Sequence, residues 1–101
     1  MTIEEIYRGT PTFNNDARKV ITKLDLTAYK YLYASQMGFI PASVIRSKGA
    51  NWSVPQLTYR DSAWDIKTFD FNIATNGEFS CYYKNNRFAN SIFTPVIYGL
   101  S

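Results

Sequence analysis

Asp61–Lys84, DSAWDIKTFDFNIATNGEFSCYYK, is the stretch whose reading decides the fold. Asn76-Gly77 lies between two alternating runs, the composition of a β-hairpin. Phe69, Phe71 and Ile73 alternate on the incoming side, and Phe79, Cys81 and Tyr83 on the outgoing side. A two-residue loop at Asn76-Gly77 would put these rows on opposite faces. A three-residue loop, Thr75-Asn76-Gly77, instead sets Ile73 opposite Phe79, Phe71 opposite Cys81 and Phe69 opposite Tyr83. Both rows then share one face, which a slip of one residue would destroy. The expected turn is therefore type I with Gly77 left-handed in a bulge, a backbone that a residue without a Cβ adopts freely.

Upstream, the pattern changes phase near Thr68, so that Trp64 and Ile66 fall on the face opposite Phe69, Phe71 and Ile73. Either a bulge near Lys67 re-aims them, or the second face of the sheet carries Trp64, Ile66 and Tyr82. In the second case the three lie under a helix or loop, or they form an exposed aromatic patch for a partner. Trp64, Ile66 and Tyr82 are accordingly the candidate partner-binding residues. Trp52–Tyr59 reads as extended, with Pro55 confining it to an edge or an irregular strand. Residues 84–90 read as a polar loop. Ile92–Tyr98 reads as a last β segment in which Pro95 again points to an edge.

The N-terminal half reads as helical. Thr2 and Glu5 have capping-box spacing, with Met1 and Ile6 as the staple, so a helix is expected over 3–8, ended by Gly9 and Pro11. Asn14 or Asn15 caps a second helix over 14–25, where Ala17, Val20, Ile21 and Leu24 recur at helical spacing. A third is expected over 28–37 between Thr27 and Gly38, although Tyr29, Tyr31 and Tyr33 also alternate as a strand would. Pro41 opens a short fourth helix over 41–48, with a strand through Val44 and Ile45 as the competing reading. Helices first and strands afterwards give an α+β class: N-terminal helices packed on a C-terminal antiparallel sheet of three to four strands, one domain over 1–101.

A chain of 101 residues that is 46% hydrophobic supports one modest core and is not of the disordered class. No apolar run approaches membrane-spanning length and MTIEEIYRG is not a secretory leader, so the expected location is cytoplasmic, in the producing or infected cell, with no membrane partner. Without a leader, the glycosylation triplet Asn51-Trp52-Ser53 carries no expectation. The single Cys81 can form neither an internal disulfide nor a metal site. On the apolar face of the hairpin it reads as a small buried hydrophobe.

Catalytic equipment is missing. The chain has no histidine, which removes the commonest general base and metal ligand and every Ser-His or Cys-His pair. Its glycines form no phosphate-binding loop. The carboxylates are Glu4, Glu5, Asp16, Asp25, Asp61, Asp65, Asp70 and Glu78; Asp61 and Asp65 flank Trp64 but have no second motif beside them and read as solvated charges. No catalytic residue, metal or cofactor is expected. The net charge of +3 is uneven: Arg18 to Arg60 holds seven basic residues against the lone Asp25, a local +6, and the remainder carries −3. That basic segment can face nucleic acid, an acidic protein surface or simply solvent.

Ala34, Gly38 and Val44, with Met37 and Phe39 between them, have the spacing of a helix-turn-helix. This stretch, AYKYLYASQMGFIPASVIRSKG over 28–49, resembles that motif in phage repressors of the Cro type, which can also follow it with a β-hairpin. It departs from the family at Ile40, where a capping Ser or Thr is usual, and at Ser47, where an apolar residue is usual. The resemblance implies Ser43, Arg46 and Ser47 facing a DNA groove and Lys48 on phosphate. A helical start followed by TNGEFSCYY is also similar to small bacterial immunity proteins that neutralise toxins, with no residue to carry over. The expected function is a small non-enzymatic inhibitor or adaptor acting by protein–protein interaction, of the immunity or phage anti-defence type, its target a nucleic-acid-handling complex. The alternative is a helix-turn-helix DNA-binding regulator. A protein partner ranks first, nucleic acid through residues 18–60 second, and a homodimer is compatible with either.

Overall fold

The central hairpin forms in the expected register. Ile73 pairs with Phe79, Phe71 with Cys81 and Phe69 with Tyr83. The computed structural model describes residues 2–9, 18–84 and 94–101. Along them run β1 (Ile3–Arg8), β2 (Lys19–Lys23), β3 (Tyr31–Ala34), β4 (Gly38–Pro41), α1 (Ala42–Lys48), β5 (Ala50–Arg60), β6 (Ala63–Ile73), β7 (Glu78–Lys84) and β8 (Val96–Leu100). The hairpin turn is held by Gly77 N–H on the Ala74 carbonyl and Ala74 N–H on the Glu78 carbonyl, each at 2.9 Å. Thr75 and Asn76 keep negative φ while Gly77 sits at +96°, which is the type I turn with a glycine bulge.

The strands make two antiparallel four-stranded sheets, one in the order β1-β8-β3-β4 and the other β2-β7-β6-β5. Leu32, Ala34 and Ile97 of the first sheet share one hydrophobic core with Trp52, Val54, Phe69, Phe71, Ile73, Phe79 and Cys81 of the second. Trp52, Phe71 and Phe79 stack within it, with ring centroids 5.5 to 5.9 Å apart. Such pairs add to their area burial about 0.5–1.5 kcal/mol each. The architecture is therefore mostly β, not the helices packed on a sheet that the sequence pattern implied.

The expected helices at 3–8, 14–25 and 28–37 are absent among the described residues, and the reason is physical. β1 runs beside β8 with a register break between Glu5 and Tyr7, and β2 beside β7 with one between Val20 and Thr22. A β-bulge inserts one residue, so apolar positions on either side of it fall three or four apart instead of two. Val20, Ile21 and Leu24 thereby imitate a helical stripe, and the capping-box spacing of Thr2 and Glu5 falls instead at the start of β1. The caps Asn14 and Asn15, with Ala17, lie outside the described residues, as does Met1. Thr27 caps no helix: its N–H and hydroxyl both donate to Asp25 Oδ1, at 2.9 and 2.7 Å. In β3 the strand alternation holds, with Leu32 and Ala34 buried and Tyr31 exposed.

The fourth helix is present as α1. Pro41 precedes it at φ −58°, and Gly49 ends it at φ +75° with its N–H on the Ile45 carbonyl at 2.7 Å. α1 buries Ala42 and Ile45, the latter in the shared core. β5 is an edge strand, as Pro55 implied. β8 is not an edge, for it lies between β1 and β3. Pro95 precedes its first residue, so the missing N–H falls outside the ladder. The loop expected over 84–90 and the start of the 92–98 segment lie mostly outside the described residues. Among the described residues no helix is long and apolar enough to cross a membrane.

Candidate protein-binding surface

Alternation sends half of each strand of the first sheet outward, and that half is aromatic. Tyr98 on β8 pairs with Tyr33 on β3, and Tyr33 pairs with Phe39 on β4. Their rings follow that register: Tyr33 and Phe39 centroids are 4.5 Å apart, Tyr33 and Tyr98 6.2 Å. One step along, Leu100 lies between Ile3 and Tyr31. Ile3 is 65% exposed and Phe39 64%, well beyond what isolated surface apolar residues require. Ile3, Tyr33, Phe39, Tyr98 and Leu100 line an apolar groove of about 210 Å³. The charged positions in these rows are Glu5, opposite Tyr98, and Arg8, opposite Val96. The Arg8 guanidinium donates to the Glu5 carboxylate, so the face carries an ion pair and no net charge.

This surface was hidden in the sequence because Ile3 and Phe39 fell within expected helices or their turn. Strand assignments for 3–8 and 38–41 would have exposed it: Tyr31, Tyr33 and Phe39 then align across a hairpin.

The expected residues Trp64, Ile66 and Tyr82 lie on the other sheet. β5 and β6 pair without interruption from Ala50 opposite Ile73 to Arg60 opposite Ala63, so no bulge occurs at Lys67. The phase change is real, and the second face of the sheet carries these positions. On its β6 side β7 pairs with Thr68–Ile73, so beyond Thr68 the β5–β6 ribbon runs on past that ladder. The ribbon closes at Asp61-Ser62, both at positive φ (51° and 60°), as a two-residue type I′ turn requires. Trp64 is 64% exposed. It pairs with Tyr59, and Ile66 with Leu57, two positions the sequence reading had not singled out. Tyr82 pairs with Asp70, six residues from Trp64 along β6, or roughly 20 Å at strand rise. The structure thus places Trp64 and Ile66 close together and Tyr82, half-buried, well away from them.

The helix-turn-helix is not formed. Ala34 and Gly38, expected at the joint of two helices, pair across the β3–β4 hairpin, and Val44 is 42% exposed instead of filling that joint. Ser43, Arg46, Ser47 and Lys48 all lie on the seven-residue α1, with no first helix before it. Arg46 Nη1 donates to the Leu26 carbonyl at 2.5 Å, which ties α1 to the segment after β2. Arg18 Nη1 donates to Ser80 Oγ at 3.4 Å. Two cations of the basic segment are therefore engaged within the fold.

Two polar groups complete the account. Asp70 is 8% exposed and accepts a hydrogen bond from Ser53 Oγ. Cys81 is 2% exposed. Burial pushes its thiol up, opposed by nearby Lys19 and Arg18, so the neutral, unreactive form is favoured. No family model matches this chain, and no curated protein or solved structure is detectably similar to it.

Proposed function

We propose that this protein is a non-enzymatic binding protein, an inhibitor or adaptor that works in the cytoplasm of the producing or infected cell. Its partner is a protein that inserts a large apolar side chain into the groove of the first sheet. The observation that carries this reading is the outward row Tyr98–Tyr33–Phe39, its two tyrosines half-buried and Phe39 exposed, with exposed Ile3 beside it. Aromatic side chains on rigid strands are the usual energetic centre of protein interfaces, because they bury much area and lose little conformational freedom. The internal Glu5–Arg8 pair leaves this face without the excess positive charge that phosphate contacts demand, which favours protein over nucleic acid. Trp64, on the ribbon of the second sheet, is proposed as a second anchor.

Capture of tagged protein with its host lysate tests this, with and without nuclease. A stoichiometric, nuclease-resistant protein should be held by the wild type and by Ser47→Glu, and lost with Phe39→Glu at an unchanged melting temperature. Retention by Phe39→Glu, or recovery of nucleic acid alone, would overturn the reading.

A further inference from the structure

Beside the outer face lies a second feature, a half-open cavity of about 240 Å³ lined by Ala34, Trp52, Val54, Phe71, Pro95 and Val96 together with Tyr33 and Tyr98 of the outer row. We infer that this cavity is a binding site for a small, uncharged, planar aromatic molecule of about the size of indole.

The cavity follows from the residues that face each other. Packed sheets lie about 10 Å apart, a gap that side chains from both faces normally fill. On the inner side of β3, Leu32 is followed by Ala34, so the upper layer shrinks to one methyl group. Below it, Trp52 and its register partner Phe71 stack with planes 27° apart. A flat occupant would extend that stack. For scale, an engineered cavity of about 150 Å³ in another protein stays dry and takes up benzene. A volume of 240 Å³ is 1.6 times larger and suits a bicyclic ring.

Charge decides the rest of the selectivity. The other described lining residues, Tyr33, Ser35, Thr94 and Tyr98, all carry hydroxyls, and among the described residues of the lining none is ionisable as an acid or base near neutral pH. An anion or cation would lose its hydration there without gaining a counter-charge. A neutral ring with at most one hydrogen-bonding group would not.

The test uses indole as the probe and indole-3-acetate as its charged counterpart, with backbone amide spectra recorded during titration. Indole should give saturable shifts at Ala34, Trp52, Val54 and Phe71, and indole-3-acetate should bind at least tenfold more weakly. Ala34→Leu, which fills the cavity, should weaken indole at least tenfold while the spectrum stays that of a folded protein. If that variant does not fold, the neutral-against-charged comparison and the map of shifts on the wild type still decide. No saturable shift up to the solubility of indole, equal binding of the two probes, or shifts centred on Ile3 and Phe39 would overturn the inference. Tyr33 and Tyr98 line both this cavity and the outer groove, so the protein partner is tested separately by Phe39→Glu, at a residue that lines the groove alone.

Discussion

Replacing Gly77 by alanine should be among the most damaging single changes to this protein, for two separable reasons. Gly77 sits at φ +96°, where an L side chain is strained by roughly 1–2 kcal/mol. A Cβ built there would also lie 2.2 Å from the Leu24 carbonyl oxygen, a backbone atom that cannot swing aside. Relief requires Leu24 to retreat, and its N–H donates to the Gly77 carbonyl at 2.8 Å. Losing that bond costs about 1 kcal/mol more. Gly77→Ala should therefore destabilise by about 2–3 kcal/mol. Gly77→Asn separates the causes, because asparagine tolerates left-handed backbone but still carries the Cβ. It should lose mainly the part due to Leu24, about 1 kcal/mol, clearly less than alanine. Asn76→Ala removes only the Oδ1 acceptor of the Glu78 N–H at 3.0 Å, and should cost about 0.5–1 kcal/mol. Urea titration followed by tryptophan fluorescence measures all three. A near-neutral Gly77→Asn beside a costly Gly77→Ala would show that Leu24 does not press on the turn. Near-neutral results for both would refute the turn itself.

The two tryptophans should behave oppositely. Trp52→Ala empties part of the ring stack and should cost about 3–5 kcal/mol, whereas Trp64→Ala should change stability by less than about 1 kcal/mol, as melting curves would show. In the same variant, affinity for the protein partner should fall by about 2 kcal/mol if Trp64 is an anchor, a quantity that titration calorimetry reads directly. Cys81 should react with a thiol reagent roughly a hundredfold faster in denaturing urea than in buffer, and equal rates would contradict its burial. Because the folded thiol is held protonated, stability should be intact below the unfolded thiol pKa of about 8.5 and decline as pH rises beyond it. Cys81→Ala should remove that part of the decline in urea midpoints, and an unchanged slope in the variant would assign it elsewhere.

The sequence disclosed those parts of the fold that short-range chemistry fixes. Asn76-Gly77 between strict alternations gave the hairpin to the residue, Pro41 and Gly49 bracketed α1, and Pro55 marked an edge. What stayed hidden came from bulges and from pairings distant in the chain. The spacing of Val20, Ile21 and Leu24 is ambiguous without knowing that β7 lies alongside. The proximity of Ile3 and Leu100 is invisible to any local window. The outer aromatic face suffered most, since it draws on β1, β3, β4 and β8 at once. Trp64 was legible as a position of interest because its phase relative to Phe69 could be counted, whereas its true neighbour Tyr59 required the length of the β5–β6 ribbon.

The order of the first sheet sets a constraint on how the protein can assemble. β1 and β3 do not meet; both pair with β8, which lies between them, and Ser101 N–H reaches back to the Thr2 carbonyl at 3.0 Å. Until Val96–Leu100 docks, β1 has no ladder at all and β3 has only its hairpin with β4. β5, β6 and β7, by contrast, are consecutive and can zip from two tight turns. Closing β8 onto β1 joins positions at opposite ends of the chain, which is the slowest kind of contact to make. Refolding should then proceed through a meander that already shelters Trp52 from water, followed by a later phase in which Tyr33, Phe39 and Tyr98 come into register. The binding surface would be the last part of the molecule to exist and the first to dissolve.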